Sequence, residues 1–171
     1  QNQYGGFVYA GATMAFTTAY WVLGHYNPRE IAFLGCDMSY PKSSKTHFYG
    51  TGTADPLRED ITLISLEAKA ARLYALALAQ GCEITNLSQE TSRLIAPRRS
   101  LLEPRPEPFE IDKVQKARAL AREQELAYYV ASGRYWEELE RFDIEQIKRL
   151  DALWSNVVIE PKEAAALMRG Y

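Results

Sequence analysis

The run Ile31-Ala-Phe-Leu34 narrows the fold more than any other part of the chain: four consecutive apolar residues, preceded by the break at Asn27-Pro28 and followed at once by Gly35-Cys36-Asp37. A short strand that is apolar at every position needs cover on both faces, as strands of parallel sheets do. The preceding segment can supply part of that cover. Ala12 to Leu23 is small or apolar except at Thr13, Thr17 and Thr18, and Gly24 stands where a helix would stop. A buried helix leading into a short buried strand is the α/β pattern.

The next segments repeat it. From about 61 to 79 apolar residues recur at Leu63, Leu66, Ala70, Leu73 and Ala77, while Glu67, Lys69 and Arg72 point elsewhere, which predicts a helix closed by Gly81. Glu83-Ile-Thr-Asn-Leu87 reads as a second strand, and Ser88 with Thr91 as caps of a short helix toward Leu94. Strands near 31–36 and 83–87 joined by a helix should be parallel neighbours. Residues 38–58, with Pro41, a Ser/Lys cluster, Gly50, Gly52 and Asp55-Pro56, read as a long loop, and such loops in compact domains are functional or disordered.

Pro97, Pro104, Pro106 and Pro108 mark a stiff connector that also carries Arg98, Arg99 and Arg105. The expected organisation is an α/β unit over 1–97, the connector over 98–109, and a helical region over 110–171. In that last region one helix is expected over about 110–131, a second over about 134–157 with a buried Leu139, Phe142, Leu150, Trp154 stripe, and a short third helix from Pro161. The fold class is therefore α/β: a Rossmann-like partial parallel sheet with helices, plus a helical C-terminal appendage. So few strands need cover from the C-terminal helices or from another subunit.

Charge and cysteine usage bound the partners. Twenty Lys and Arg against twenty-two Asp and Glu leave a formal charge of -2, too weak a field to draw nucleic acid or an anionic membrane. Cys36 and Cys82 are read as free thiols of a reducing, cytoplasmic setting. No apolar run approaches the about 20 residues that span a bilayer. Two His and two Cys at unrelated positions give no zinc spacing. Because the first residue is Gln1, the sequence reads as a processed or truncated piece.

The chemistry-bearing segment is Gly35-Cys36-Asp37-Met38-Ser39-Tyr40, a spacer, then Thr46-His47-Phe48-Tyr49-Gly50. Open α/β sheets bind ligands at the carboxyl ends of their strands, where Asp37 and the loop bearing His47 would lie. Histidine suits proton transfer near neutral pH, and a carboxylate can orient it. Spacing alone equally fits a loop histidine that packs or caps. His25, just past Gly24, reads as a cap or surface residue, and Tyr128-Tyr129 and Tyr135-Trp136 as packing rather than sugar stacking.

In order and motif, residues from about Gly5 to Pro97 resemble the C-terminal half of a superfamily of bacterial sialyltransferases, flagellin-glycosylating motility accessory factors and archaeal 6-hydroxymethylpterin diphosphokinases. The matching elements are the small-residue segment Gly11-Ala-Thr-Met-Ala15, the strand ending in Gly35-Cys36-Asp37, the Thr46-His47-Phe48-Tyr49-Gly50 element, the long helix and the strand Ile84-Thr-Asn-Leu87. The resemblance implies that His47 is a general base for the acceptor hydroxyl, that Asp37 shapes the strand end, and that Gly11 lies against a cytidine nucleotide. It further implies substrate or nucleotide contacts by Thr13, Gly35, Thr46 and Tyr40, with Tyr49 able to replace Tyr40, which stands one position off the pattern. The family also uses an earlier strand with a G-x-G-P-S-type turn, which nothing before Gly5 supplies. The short interval from Asp37 to His47 is closer to the motility-factor and diphosphokinase branches.

Three functions follow as expectations. The first is transfer of a nonulosonate sugar from a CMP donor to a hydroxyl acceptor, with no cofactor. The second is diphosphate transfer from ATP, which would bring magnesium. The third is a non-catalytic binding or assembly module, completed by a missing N-terminal half or a homo-oligomer.

Overall fold

The computed structural model describes residues 2–39 and 60–161. A 3-10 turn at Asn2–Tyr4 leads into a single helical turn, α1 (Phe7–Ala10), set between Gly6 and Gly11 at φ 79° and 81°. Only glycine adopts such angles cheaply, so the pair lets the chain double back into α2 (Met14–Tyr26). Thr13 caps α2, its hydroxyl accepting the Phe16 amide at 3.1 Å. The helix does not stop at Gly24; it runs on to Tyr26 and ends at Asn27 in the left-handed conformation ahead of Pro28. Gly24 serves a close approach instead, since a Cβ there would meet Gln3 Nε2 at 2.4 Å.

Strand β1 (Glu30–Phe33) follows, and after the undescribed 40–59 come a 3-10 turn at Ile61–Leu63, helix α3 (Leu66–Ala79), capped by Ser65, and strand β2 (Glu83–Asn86). β1 and β2 pair in parallel, Glu30 opposite Glu83 and Phe33 opposite Asn86, as two neighbouring strands joined through a helix should. The connector extends the ladder beyond β2: the Asn86 amide donates to Pro97 O and the Arg99 amide to Asn86 O, both at 2.9 Å. No helix forms over 88–94. Ser88 and Ser92 bond local amides, and the Arg93 amide donates to Asp37 O at 2.8 Å, so the backbone is held irregular by side chains and by the neighbouring strand end.

Past the connector the boundaries shift from those expected. Glu110–Ile111 is a short strand, β3, antiparallel to β4 (Val158–Ile159). Helix α4 (Lys113–Leu126) starts at the Asp112 cap and ends at Ala127 in the left-handed conformation, and α5 (Ile144–Ser155) starts at the Asp143 cap. The expected helix start at 134 is replaced by two 3-10 turns, Tyr135–Glu137 and Leu139–Arg141. Asp143 accepts the Glu145 and Gln146 amides, which sets the α5 start at Ile144, ten residues later than apolar spacing alone indicates. Leu139, out of phase on its 3-10 turn, is 49% exposed, while Phe142, Leu150 and Trp154 are buried. The helix expected from Pro161 lies outside the described residues.

The helices of this region pack directly on α3. One buried cluster joins Val8, Tyr9, Ala68 and Ala75 to Ala119, Ile147, Leu150 and Trp154. Lys69 and Arg72, which periodicity assigns to an outer face, are each 2% exposed. Lys69 Nζ meets Asp151 Oδ1 at 2.8 Å, and Arg72 holds Glu123 with two bonds, of 2.6 and 2.8 Å. Removing one partner of such a pair strands the other charge out of water. Glu123→Ala is expected to lower unfolding free energy by about 3–5 kcal/mol in urea titration, and a variant as stable as wild type would show that Arg72 finds other acceptors.

Candidate functional site

At the carboxyl end of β1 the backbone turns through Gly35 at φ 70° and Met38 at φ 56°. A left-handed methionine is uncommon, and burial of its side chain, 7% exposed, offsets the strain. Four hydrogen bonds tie the end of β1 and this turn to the chain leaving β2. Leu87 N donates to Phe33 O at 2.8 Å, Arg93 N to Asp37 O at 2.8 Å, Ser39 Oγ to Thr91 O at 3.1 Å, and Ser88 Oγ to Asp37 Oδ2 at 2.6 Å. Ser88 is itself held by Asn86, whose Oδ1 accepts the Ser88 amide at 2.9 Å. The remaining polar atoms of this trio, Asp37 Oδ1 and Asn86 Nδ2, are buried and have no partner among the described residues. Buried polar atoms in that state are what a water or ligand satisfies.

A cleft of about 490 Å³ lies between this turn and the start of α2, lined by Thr13, Met14, Ala15 and residues 35–39. α2 runs opposite to β1 in the chain's path, so its N-terminus and the strand's carboxyl end face the same cleft. The Met14 and Ala15 amides belong to the first helical turn and have no intrahelical acceptor, and the helix dipole adds partial positive charge there. Such a helix end receives phosphate or carboxylate. Burial, with the Asp37 charge beside it, pushes the Cys36 thiol up, so it stays protonated near neutral pH.

Three of the residues singled out in sequence, Thr13, Gly35 and Asp37, thus line one cleft. Gly11 is not among its lining; it sits where a Cβ would meet Phe16 at 3.1 Å and Lys69 Cγ at 3.2 Å, a packing corner. Tyr40, Thr46, His47 and Tyr49 lie outside the described residues. His25 stacks on Trp21 on the outer face of α2, ring centroids 5.2 Å apart. Tyr135 donates to Asp60 Oδ2 at 2.7 Å, and Tyr128 packs on Phe142, so both are structural. Sequence reasoning missed Ser88 and Asn86, because a serine after a strand reads as a helix cap. A second cavity, of about 410 Å³, is walled by Tyr4, Tyr9, Arg72, Glu123 and Tyr129, and its two charges already neutralise each other.

Among the described residues no cluster of three or more His, Cys, Asp or Glu side chains could hold a metal ion, and no helix is long and apolar enough to cross a membrane. Comparison with family models, curated proteins and solved structures finds no match.

The outer face of the sheet is strapped by Glu30, which binds Arg99, Arg105 at 3.1 Å and the Thr85 hydroxyl at 2.9 Å. The Arg99 bond, foremost, holds the Glu30 carboxyl below its ordinary value. A depressed carboxylate pKa adds stability that is complete above the unfolded value, about 4.3, and lost as pH falls through the folded one. The stability gap between wild type and Glu30→Gln should therefore be full at neutral pH and shrink as pH falls below the unfolded value of about 4.3; a gap independent of pH would show that Glu30 acts through packing. Ser88→Ala, which leaves Asp37 with two bare oxygens, is expected to cost about 1–3 kcal/mol, and an unchanged denaturation midpoint would mean that water replaces the hydroxyl.

Proposed function

We propose that the cleft between α2 and the 35–39 turn holds the phosphate of a cytidine nucleotide, and that the protein transfers a nonulosonate sugar from it to a hydroxyl acceptor. One observation carries the reading: first-turn helix amides and a carboxylate with a free oxygen face each other at the carboxyl end of a parallel strand, in a chain whose Gly35-Cys36-Asp37 and Thr46-His47-Phe48-Tyr49-Gly50 segments resemble the sialyltransferase and motility-factor group. The bond from the anomeric carbon to the phosphate oxygen breaks and the bond from that carbon to the acceptor oxygen forms. His47 takes the acceptor's proton, and CMP leaves with the electron pair. The Met14 and Ala15 amides stabilise the charge that grows on the departing phosphate, and they cost no reorganisation because α2 already holds them. Asp37, anchored through one oxygen by Ser88, shapes the strand end beside the phosphate. Free Cys36 and Cys82 fit a cytoplasmic setting for this activity.

Ligand-induced stabilisation separates this chemistry from its neighbour. CMP should raise the melting temperature in proportion to the logarithm of its concentration above Kd, and ATP with magnesium should not. The reverse result assigns diphosphate transfer to the cleft, and no response to either nucleotide removes both. With donor and acceptor supplied, His47→Ala should keep the melting temperature and lower the rate by about 10²- to 10⁴-fold. Normal turnover by that variant eliminates His47 as the base.

A further inference from the structure

The parallel pair of strands is closed on one side and open on the other. Beyond β2 the connector continues the ladder, bonding Asn86 through Pro97 and Arg99. Along β1 the carbonyls of Arg29 and Phe33 accept the Glu83 and Leu87 amides, so the odd-numbered residues turn their main-chain groups toward β2. Successive residues of a strand alternate, and the N–H and C=O groups of Glu30, Ala32 and Leu34 therefore point away from β2, along the free edge of the sheet. No loop, helix or side chain among the described residues takes those of Glu30 or Ala32, and the Leu34 carbonyl meets only the Cys36 thiol, at 3.8 Å. Ala32 is exposed and Leu34 is 72% exposed, so solvent reaches this edge.

An unpaired edge is a template for another strand: its row of donors and acceptors is complementary to an extended backbone. Folded chains blunt such edges with lysines, prolines or bulges, and the segment from Glu30 to Leu34 contains neither lysine nor proline. The length of the edge is fixed, since Pro28 precedes it and Gly35, at φ 70°, turns the chain away after Leu34. Three outward-facing residues centred on Ala32 make the edge complementary to itself. Run antiparallel about a two-fold axis, two copies place Ala32 opposite Ala32 and Glu30 of each opposite Leu34 of the other, so every outward N–H meets a carbonyl. The side chains permit this approach. Alanine at the axis adds only a methyl group, and Arg99 and Arg105 already neutralise the Glu30 carboxylate, so the two copies meet without facing unpaired charges.

We propose that the free edge of β1 is an interface between two copies of this chain, joined through an antiparallel β1–β1 pair into one sheet with two strands from each copy. The proposal stands independently of the glycosyltransferase reading. Antiparallel pairing points the carboxyl ends of the two β1 strands in opposite directions, so each copy keeps its own cleft, and the sheet gains the additional strands that a two-stranded sheet needs for stability.

The test is sedimentation velocity of the full chain at concentrations from about 1 to about 100 µM, with amide hydrogen exchange over the same range. A dimer should form as the concentration rises, and exchange at Ala32 and Leu34 should slow with it. Ala32→Lys sets two ammonium groups opposite each other at the axis. It should raise the dissociation constant at least about tenfold and leave the melting temperature of the dilute protein unchanged. Ala32→Pro removes only an N–H that faces away from β2, and should weaken the dimer in the same way. A chain that stays monomeric up to about 100 µM, or a dimer whose affinity either variant leaves unchanged, overturns the proposal. Protection of the Ala32 amide that does not depend on concentration also overturns it, and assigns the edge to a strand of the same chain. Growth beyond a dimer overturns the two-fold pairing.

Discussion

A guanidinium shut away from water has to be surrounded by acceptors, and Arg72 gathers them from distant parts of the chain. It donates twice to Glu123 on α4, at 2.9 Å to the Tyr20 hydroxyl on α2, and at 2.8 Å to the Tyr4 carbonyl. Its charge also lies 5.5 Å from the centre of the Trp154 ring on α5, whose indole nitrogen donates to Glu123 at 2.7 Å. Tyr9, buried beside the pair and pushed up to about 12, donates to the Glu123 carbonyl and accepts the Tyr128 amide. Burying ions is costly, and well-packed apolar residues of like volume can be equally stable. What the ionic arrangement adds is geometry, because each donor accepts one placement of its partner.

That geometry reaches the cleft through Lys69. One turn before Arg72 on α3, its amine binds Val8 O at 3.1 Å as well as Asp151, and its stem lies against Gly11, the corner at which α1 turns into α2. Burial pushes the Asp151 carboxyl up, with Lys69 opposing, so this pair too is held in a dry interior. The corner sets where Met14 and Ala15 present their amides. On the opposite wall, the three bonds between the 35–39 turn and the chain after β2 set Asp37. Both walls are thus placed before any ligand arrives, the condition under which fixed dipoles contribute most to a reaction that moves charge.

What sequence revealed and what it hid divide along contact distance. The Ile31–Leu34 run, the apolar repeat from Leu66 to Ala77 and the Ile84–Leu87 segment carry their signal within a few residues, and the parallel pair and its helix follow from them. That Thr13, Gly35 and Asp37 would come together around one cleft was legible for the same reason: each belongs to a helix start or a strand end. Lys69 and Arg72 were misplaced on an outer face because their partners lie 82 and 51 residues away. Gly24 looked like a stop, since nothing local announces that Gln3 folds back against it. The late start of α5 was missed because the apolar spacing runs on unbroken past Asp143, whose capping role overrides it. Ser88 took the guise of a helix cap, while its hydroxyl instead serves a carboxylate on the neighbouring strand end.

The most direct test is a map of backbone amide shifts at saturating CMP. If phosphate sits on the first turn of α2, the largest changes fall at Met14, Ala15, Gly35, Cys36, Asp37 and Ser88, and the amides around Arg72 stay still because that network is closed. Shifts centred instead on Tyr4, Gly5 and Gln124, which border the cavity beside Arg72, would contradict the proposed site.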